Sequence, residues 1–149
     1  MILYCDTSAL IKLYVEETHS DAVARTLADA DAIATSLLAY PETRATLARA
    51  QREKRLRPTD FRQALTQFQH DWASFVVLAT HHSLMLHAGE LAERHALRGA
   101  DAIHLASAIQ LAQDLQTSSA PMAFLAFDIP LTRAAAREHL SLHPLSPKA

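Results

Sequence analysis

The 149-residue chain has only two glycines, Gly89 and Gly99. Phosphate-cradling loops of the G-x-G-x-x-G or G-x-x-x-x-G-K-S/T kind need several glycines close together. Neither pattern occurs, which excludes a dinucleotide fingerprint and a P-loop. There is one cysteine, Cys5, so no disulfide can form within the chain. With a single cysteine and no H-E-x-x-H, a zinc site is not expected despite nine histidines. No apolar run approaches the roughly 20 residues of a membrane span. The opening MILYCD reaches Asp6 before a signal-peptide core can develop. The expectation is a soluble, cytoplasmic chain. Half of the residues are hydrophobic, which rules out a disordered polymer. The length suits a single domain over residues 1–149 with a real core.

The formal net charge is only −2, but it is unevenly distributed. Residues 44–62 carry Arg44, Arg49, Arg52, Lys54, Arg55, Arg57 and Arg62 against Glu53 and Asp60, a net +5. The remainder of the chain carries −7. A basic stretch on an acidic domain fits a phosphate-backbone footprint. It fits equally a solvated helix face, because arginine is a good helix former.

There is no internal repeat, low-complexity segment or linker. Hydrophobic periodicity predicts strands over residues 2–5, 32–35, 75–79 and 122–127, with a last short strand over 140–142. Helices are predicted over 7–15, 20–30, 37–56, 58–72, 83–97, 100–115 and 130–139, and a turn-rich loop over 116–121. Pro41 must sit in the first turn of its helix or kink it. Alternating strands and helices imply the α/β class with a parallel sheet. The near-continuous apolar runs FVVLA and MAFLAF suit a sheet covered on both faces.

In such sheets ligands bind beyond the carboxyl ends of the strands. Asp6 and Asp128 directly follow strands, Glu42 lies early in the helix after the second strand, and Asp101 is in the first turn of a helix just past Gly99. Each has a local explanation as a helix cap, a turn residue or a partner of the helix dipole. Together on one rim they would raise each other's pKa values unless a cation lay among them. Mg²⁺ and Mn²⁺ favour such oxygen ligands and leave room for substrate phosphate, which points to metal-assisted phosphodiester hydrolysis.

At these residues the sequence resembles the PIN-domain ribonucleases, and within them the VapC-type toxins of bacterial toxin–antitoxin pairs. CDTSALIKLYVEE at residues 5–17 is the most specific match, followed by RGADAIHLASAI at 98–109. TSLLAYPETRATL at 35–47 is similar to the second acidic motif, and AFDIPLTRAA at 126–135 to the fourth. The motifs run in the family's order over nearly the whole chain. The resemblance implies a three-layer α/β/α sandwich around a parallel sheet of about five short strands. It also implies a metal-dependent endoribonuclease, with Asp6, Glu42, Asp101 and Asp128 around one or two Mg²⁺ or Mn²⁺ ions. On this reading Asp6 and Asp101 ligate directly, Glu42 ligates or orients water, and Ser8 supports Asp6. The family often has Thr or Ser two positions before the fourth acid, where this chain has Ala126, so Asp128 ranks below the other three. Further implications are a homodimer and a cognate antitoxin partner. Arg44, Arg49, Arg52 and Arg55 are candidates for holding the RNA backbone. The alternative is the same fold with a degenerate site, acting as an RNA- or protein-binding module.

Rival α/β readings each lack a residue they require. A haloacid-dehalogenase-type phosphatase needs a second Asp where Ser8 stands, and a response-regulator receiver needs an Asp after the third strand, where FVVLAT has none. No G-x-S-x-G elbow is present. His104, three residues after Asp101, fits either a contact to the site or a hydrogen-bonded packing role. His81 and His82 are expected in a loop, Cys5 as a buried apolar residue, and Lys12 as solvent-facing. The apolar faces at 10–14 and 37–40 fit either core or a partner surface.

Overall fold

The computed structural model describes residues 1–117 and 120–147. Its sheet contains β1 (Ile2–Cys5), β2 (Ala32–Ser36), β3 (Val76–Leu78) and β4 (Met122–Leu125). The order is β3-β2-β1-β4, and every pairing is parallel. The expected fifth strand is a single parallel bridge, Phe124 to Leu142. It is held by Phe124 N–H donating to Ser141 O at 2.8 Å and His143 N–H to Phe124 O at 2.9 Å. The segment touches the sheet at one residue and leaves it, too briefly to count as a strand.

Side chains alternate across the sheet, as a period of two requires. Tyr4, Ala34 and Phe124 face α5 (His82–His95), α6 (Gly99–Leu115) and α7 (Ile129–Arg137) in one core. Leu3, Cys5, Ala123 and Leu125 face α1 (Thr7–Leu10) and α2 (Ser20–Ala28) in the other. This is the expected three-layer sandwich, and it explains the apolar run of β4; the run FVVLA is not covered as expected, because β3 is an edge strand and Val76 is 46% exposed. A third cluster joins Ile11, Tyr14 and Val15 to Leu47 of α3 (Ala39–Arg52) and to Ala64 and Phe68 of α4 (Pro58–Trp72). The apolar face at 10–14 is therefore core, whereas Leu37 is 47% exposed.

Several boundaries depart from the periodicity. The expected helix over 7–15 is one α-turn followed by a 3₁₀ turn, Ile11–Leu13. The helix expected over 37–56 is shorter at both ends, and Lys54 beyond it takes a left-handed φ of 59°. β4 stops at Leu125 because Phe127 N–H donates to Ser8 Oγ at 2.8 Å instead of joining a ladder. His82 opens α5 rather than lying in a loop, whereas His81 ends the loop before it and caps the helix by accepting from Leu84 N–H at 3.2 Å. Ser118 and Ser119 of the expected loop lie outside the described residues. Neither glycine supplies a left-handed position; these fall on His19, Lys54, Ala96 and His139.

The end of α5 is tied to the end of α7. Arg94 Nη1 and His95 Nε2 donate to the same Glu138 oxygen, at 2.9 and 2.6 Å. His95 is buried and its Nδ1 has no partner. The His95 hydrogen bond holds the Glu138 carboxyl below its ordinary range against the opposing effect of burial, with Arg94 assisting. A depressed acid contributes stability that is present above its unfolded pKa and is lost as pH falls through the folded value. Glu138→Gln is expected to cost about 1 kcal/mol at neutral pH, since the pair is only partly shielded from water. The variant's melting temperature should fall less steeply than wild type below about pH 4. Thermal melts over a pH series check this, and identical slopes would reject it.

Candidate active site

All four acids occupy a helix cap or first turn at the carboxyl edge of the sheet. Asp6 ends β1 and caps α1: its Oδ1 accepts from Ala9 N–H at 2.9 Å, and Ser8 Oγ donates to the carboxylate at 2.7–2.8 Å. Only 4% of Asp6 is exposed. Burial raises its pKa, outweighing the charge of His104 and the hydrogen bonds from Ser8 and Ala9. Glu42 lies in the first turn of α3, where its Oε2 accepts from Thr7 Oγ1 at 2.6 Å and His104 Nε2 at 2.8 Å. Burial pushes its pKa up, but those hydrogen bonds and the charges of His104 and Arg98 outweigh it, and the net shift is downward. Asp101, in the first turn of α6, accepts from Arg98 Nε at 2.8 Å. Asp128 caps α7, its Oδ1 accepting from Leu131 N–H at 2.9 Å, and its Oδ2 is 3.6 Å from Arg98 Nη2.

The four carboxylates line one cleft of about 370 Å³. The first and fourth motifs meet through Ser8, whose hydroxyl donates to Asp6 and accepts from Phe127 N–H, next to Asp128. Where the family often has a hydroxyl at 126, Ala126 is fully buried and its N–H donates to Ser146 Oγ at 3.3 Å. Among the described residues, no three His, Cys, Asp or Glu side chains form a ready-made cage for an ion. Mg²⁺ keeps several waters and uses one or two protein carboxylates, so an open set of hard oxygen donors fits it. Asp6 adds to that fit, because a buried carboxylate whose hydrogen-bond partners are neutral gains most from a nearby cation.

A family model for the PIN domain matches residues 3–137. The chain belongs to the PIN-domain family. Two relatives from Mycobacterium tuberculosis strains, Ribonuclease VapC45 and Ribonuclease VapC49, are each 42% identical over 108 residues, covering 72% of this chain and 75% of theirs. That similarity places it with the VapC proteins of the family. Two solved structures share the fold. VapC20 of Mycobacterium tuberculosis, described as a sarcin-ricin-loop-cleaving toxin, aligns at a TM-score of 0.64 and 18% identity, over 97% of this chain and 99% of that one. A chain of Rickettsia felis VapBC2, solved bound to a promoter DNA fragment, aligns at 0.62 and 15% identity, over 96% and 98%.

Other side chains of this PIN domain have roles that sequence spacing hides. His104 is 2% exposed. A carboxylate only accepts, so Nε2 carries the hydrogen shared with Glu42, and in the neutral ring Nδ1 accepts from the Tyr4 hydroxyl at 3.2 Å. Both readings of His104 therefore hold: it is a buried, hydrogen-bonded residue and it touches the site. Thr7, not singled out in the sequence, joins it on Glu42.

Lys12 is not solvent-facing. Its side chain is 9% exposed. Nζ lies 4.6 Å from the centre of the Phe127 ring and donates to Glu17 Oε2 at 3.1 Å and Thr18 O at 3.0 Å. The reason is the 3₁₀ turn, whose three residues per turn swing Lys12 further round than an α-helix would. It thereby joins Asp6 in lining the cleft.

The basic stretch is divided by tertiary structure. Arg49 lines the cleft. Arg44 lies over the Tyr40 ring at 5.5 Å and donates to its hydroxyl. Arg55 pairs with Glu53 and Arg57 with Asp60, while Arg52 is exposed at the end of α3.

Proposed function

We propose that this PIN domain is a divalent-metal-dependent endoribonuclease and the toxin of a toxin–antitoxin pair. The observation that carries the reading is the convergence of Asp6, Glu42, Asp101 and Asp128 on one cleft, in a chain 42% identical to proteins named ribonucleases. Asp6 and Asp101 would hold Mg²⁺ or Mn²⁺ directly, with Glu42 and Asp128 completing the donor set. When bound, the ion would lower the pKa of a water and stabilise charge on the phosphoryl oxygens.

The chain's own residues supply the positioning. Ser8 fixes the Asp6 carboxylate and the backbone beside Asp128. Thr7 and His104 occupy Oε2 of Glu42, so Oε1 is the oxygen left to accept from a water or to ligate. Arg49, nearest the cleft, would lead Arg44, Arg52 and Arg55 in holding RNA backbone, which gives affinity without base readout. No helix among the described residues is long and apolar enough to cross a membrane. A cytoplasmic location, a homodimer and a cognate antitoxin covering the cleft complete the reading.

Titrating the purified chain with Mn²⁺ in a calorimeter is expected to show saturable binding, and RNA cleavage should require Mg²⁺ or Mn²⁺ and stop when a chelator is added. A chain with no saturable Mn²⁺ binding and no metal-dependent cleavage would be a degenerate binding module instead.

A further inference from the structure

Of the cleft's cations Lys12, Arg49 and Arg98, it is Arg98 that lies against two of the four acids. It is the N-cap residue of α6 but makes no capping bond with its side chain. The guanidinium reaches over the first turn, with Nε 2.8 Å and Nη2 3.4 Å from the two Asp101 oxygens and Nη2 3.6 Å from Asp128 Oδ2. It also attracts Glu42 across the cleft. The guanidinium thus pairs with Asp101 and lies near Asp128, while Glu42 is held by Thr7 and His104 and Asp6 by Ser8 and a backbone N–H. Its side chain is 78% exposed, so nothing packs it into that position.

We infer that Arg98 is a substrate-positioning residue that alternates between two anionic partners, the site carboxylates and an RNA phosphate. The inference rests on the metal-dependent nuclease reading above. A divalent ion held by Asp101 and Asp128 would compete for the same oxygens and repel the guanidinium. Arginine stays charged at any working pH, so it must find another anion, and its planar fork suits two phosphate oxygens. An exposed side chain hinged at a helix N-cap can make that move without disturbing the fold. Arg98 therefore opposes metal binding in the free protein and favours RNA binding once metal is in place.

The two halves predict effects of opposite sign. Arg98→Ala should bind Mn²⁺ about fivefold more tightly in calorimetry, because a competing cation is gone. The same variant should show a KM for RNA raised about tenfold, with kcat within about twofold of wild type. Arg98→Lys keeps the charge without the fork: its Mn²⁺ affinity should stay near wild type while its KM rises. Arg25→Ala on the exposed face of α2 is the charge-matched control, with both quantities unchanged. Unchanged or weaker Mn²⁺ binding in Arg98→Ala, or an unchanged KM, overturns the inference and leaves the nuclease reading standing. Absence of saturable Mn²⁺ binding in wild type overturns the nuclease reading itself, and this inference with it.

Discussion

Asp6→Asn is expected to lower metal-dependent RNA cleavage by about 10³-fold or more, while the protein stays folded and melts no lower than wild type. The two halves of this result have separate causes. The amide is nearly isosteric with the carboxyl group and its oxygen can still accept from Ala9 N–H, so the cap of α1 survives. The charge removed is 4% exposed and its hydrogen-bond partners are neutral, so taking it away relieves a desolvation cost. What the amide cannot do is hold a divalent ion as a carboxylate does. A cleavage assay, a Mn²⁺ titration and a thermal melt on one preparation separate these effects. An Asn variant that cleaves RNA at the wild-type rate would remove Asp6 from the site. A variant that fails to melt cooperatively would show that its role is architectural.

Removing His104 is expected to have the next largest effect, with a different signature. His104→Leu removes the shared partner of the buried Tyr4 hydroxyl and of one oxygen of the partly buried Glu42. Each such loss is worth about 1–3 kcal/mol, so the variant should be about 2–4 kcal/mol less stable. Glu42 would keep only Thr7 to fix its rotamer. Groups that orient a metal-site carboxylate contribute about 10–100-fold to affinity or rate, and cleavage should fall by that much, with weaker Mn²⁺ binding. His104→Gln separates packing from positioning. Its side-chain amide reaches the Nε2 position and can donate to Glu42, so Mn²⁺ affinity should recover even where stability does not. Equal loss of Mn²⁺ affinity in the Leu and Gln variants would reject the positioning role.

Much of the site was legible because the signals that place it are local. An acid directly after an apolar strand, or in the first turn of a helix, is fixed by the strand's end and by the free N–H groups of the turn. Asp6, Glu42 and Asp128 could therefore be assigned to one rim from spacing alone, whereas Asp101 follows another helix and is brought there only by the fold. Lys12 was misplaced because the angle per residue changes where α1 gives way to a 3₁₀ turn, and periodicity assumes that angle is constant. Arg98 carried a legible signal, a cation three residues before an acid at the start of a helix. Its reach to Asp128, 30 residues on, depends on how α6 and α7 meet.

The sequence by itself determined the α/β class, the order of elements, the parallel sheet and three of the four acids at its edge, Asp101 being the one the fold had to bring there. These follow from hydrophobic periodicity and capping, interactions spanning a few residues. Tertiary structure alone decided which partner each acid has. Glu42 meets Thr7 and His104, 35 and 62 residues away, because α1, α3 and α6 converge at one corner of the sandwich. It also divided the +5 stretch, turning Arg49 to the cleft, Arg44 onto Tyr40, and pairing Arg55 and Arg57 with neighbouring acids. Net charge counts residues, whereas the field in a cleft depends on which of them are already neutralised and which way their helix faces.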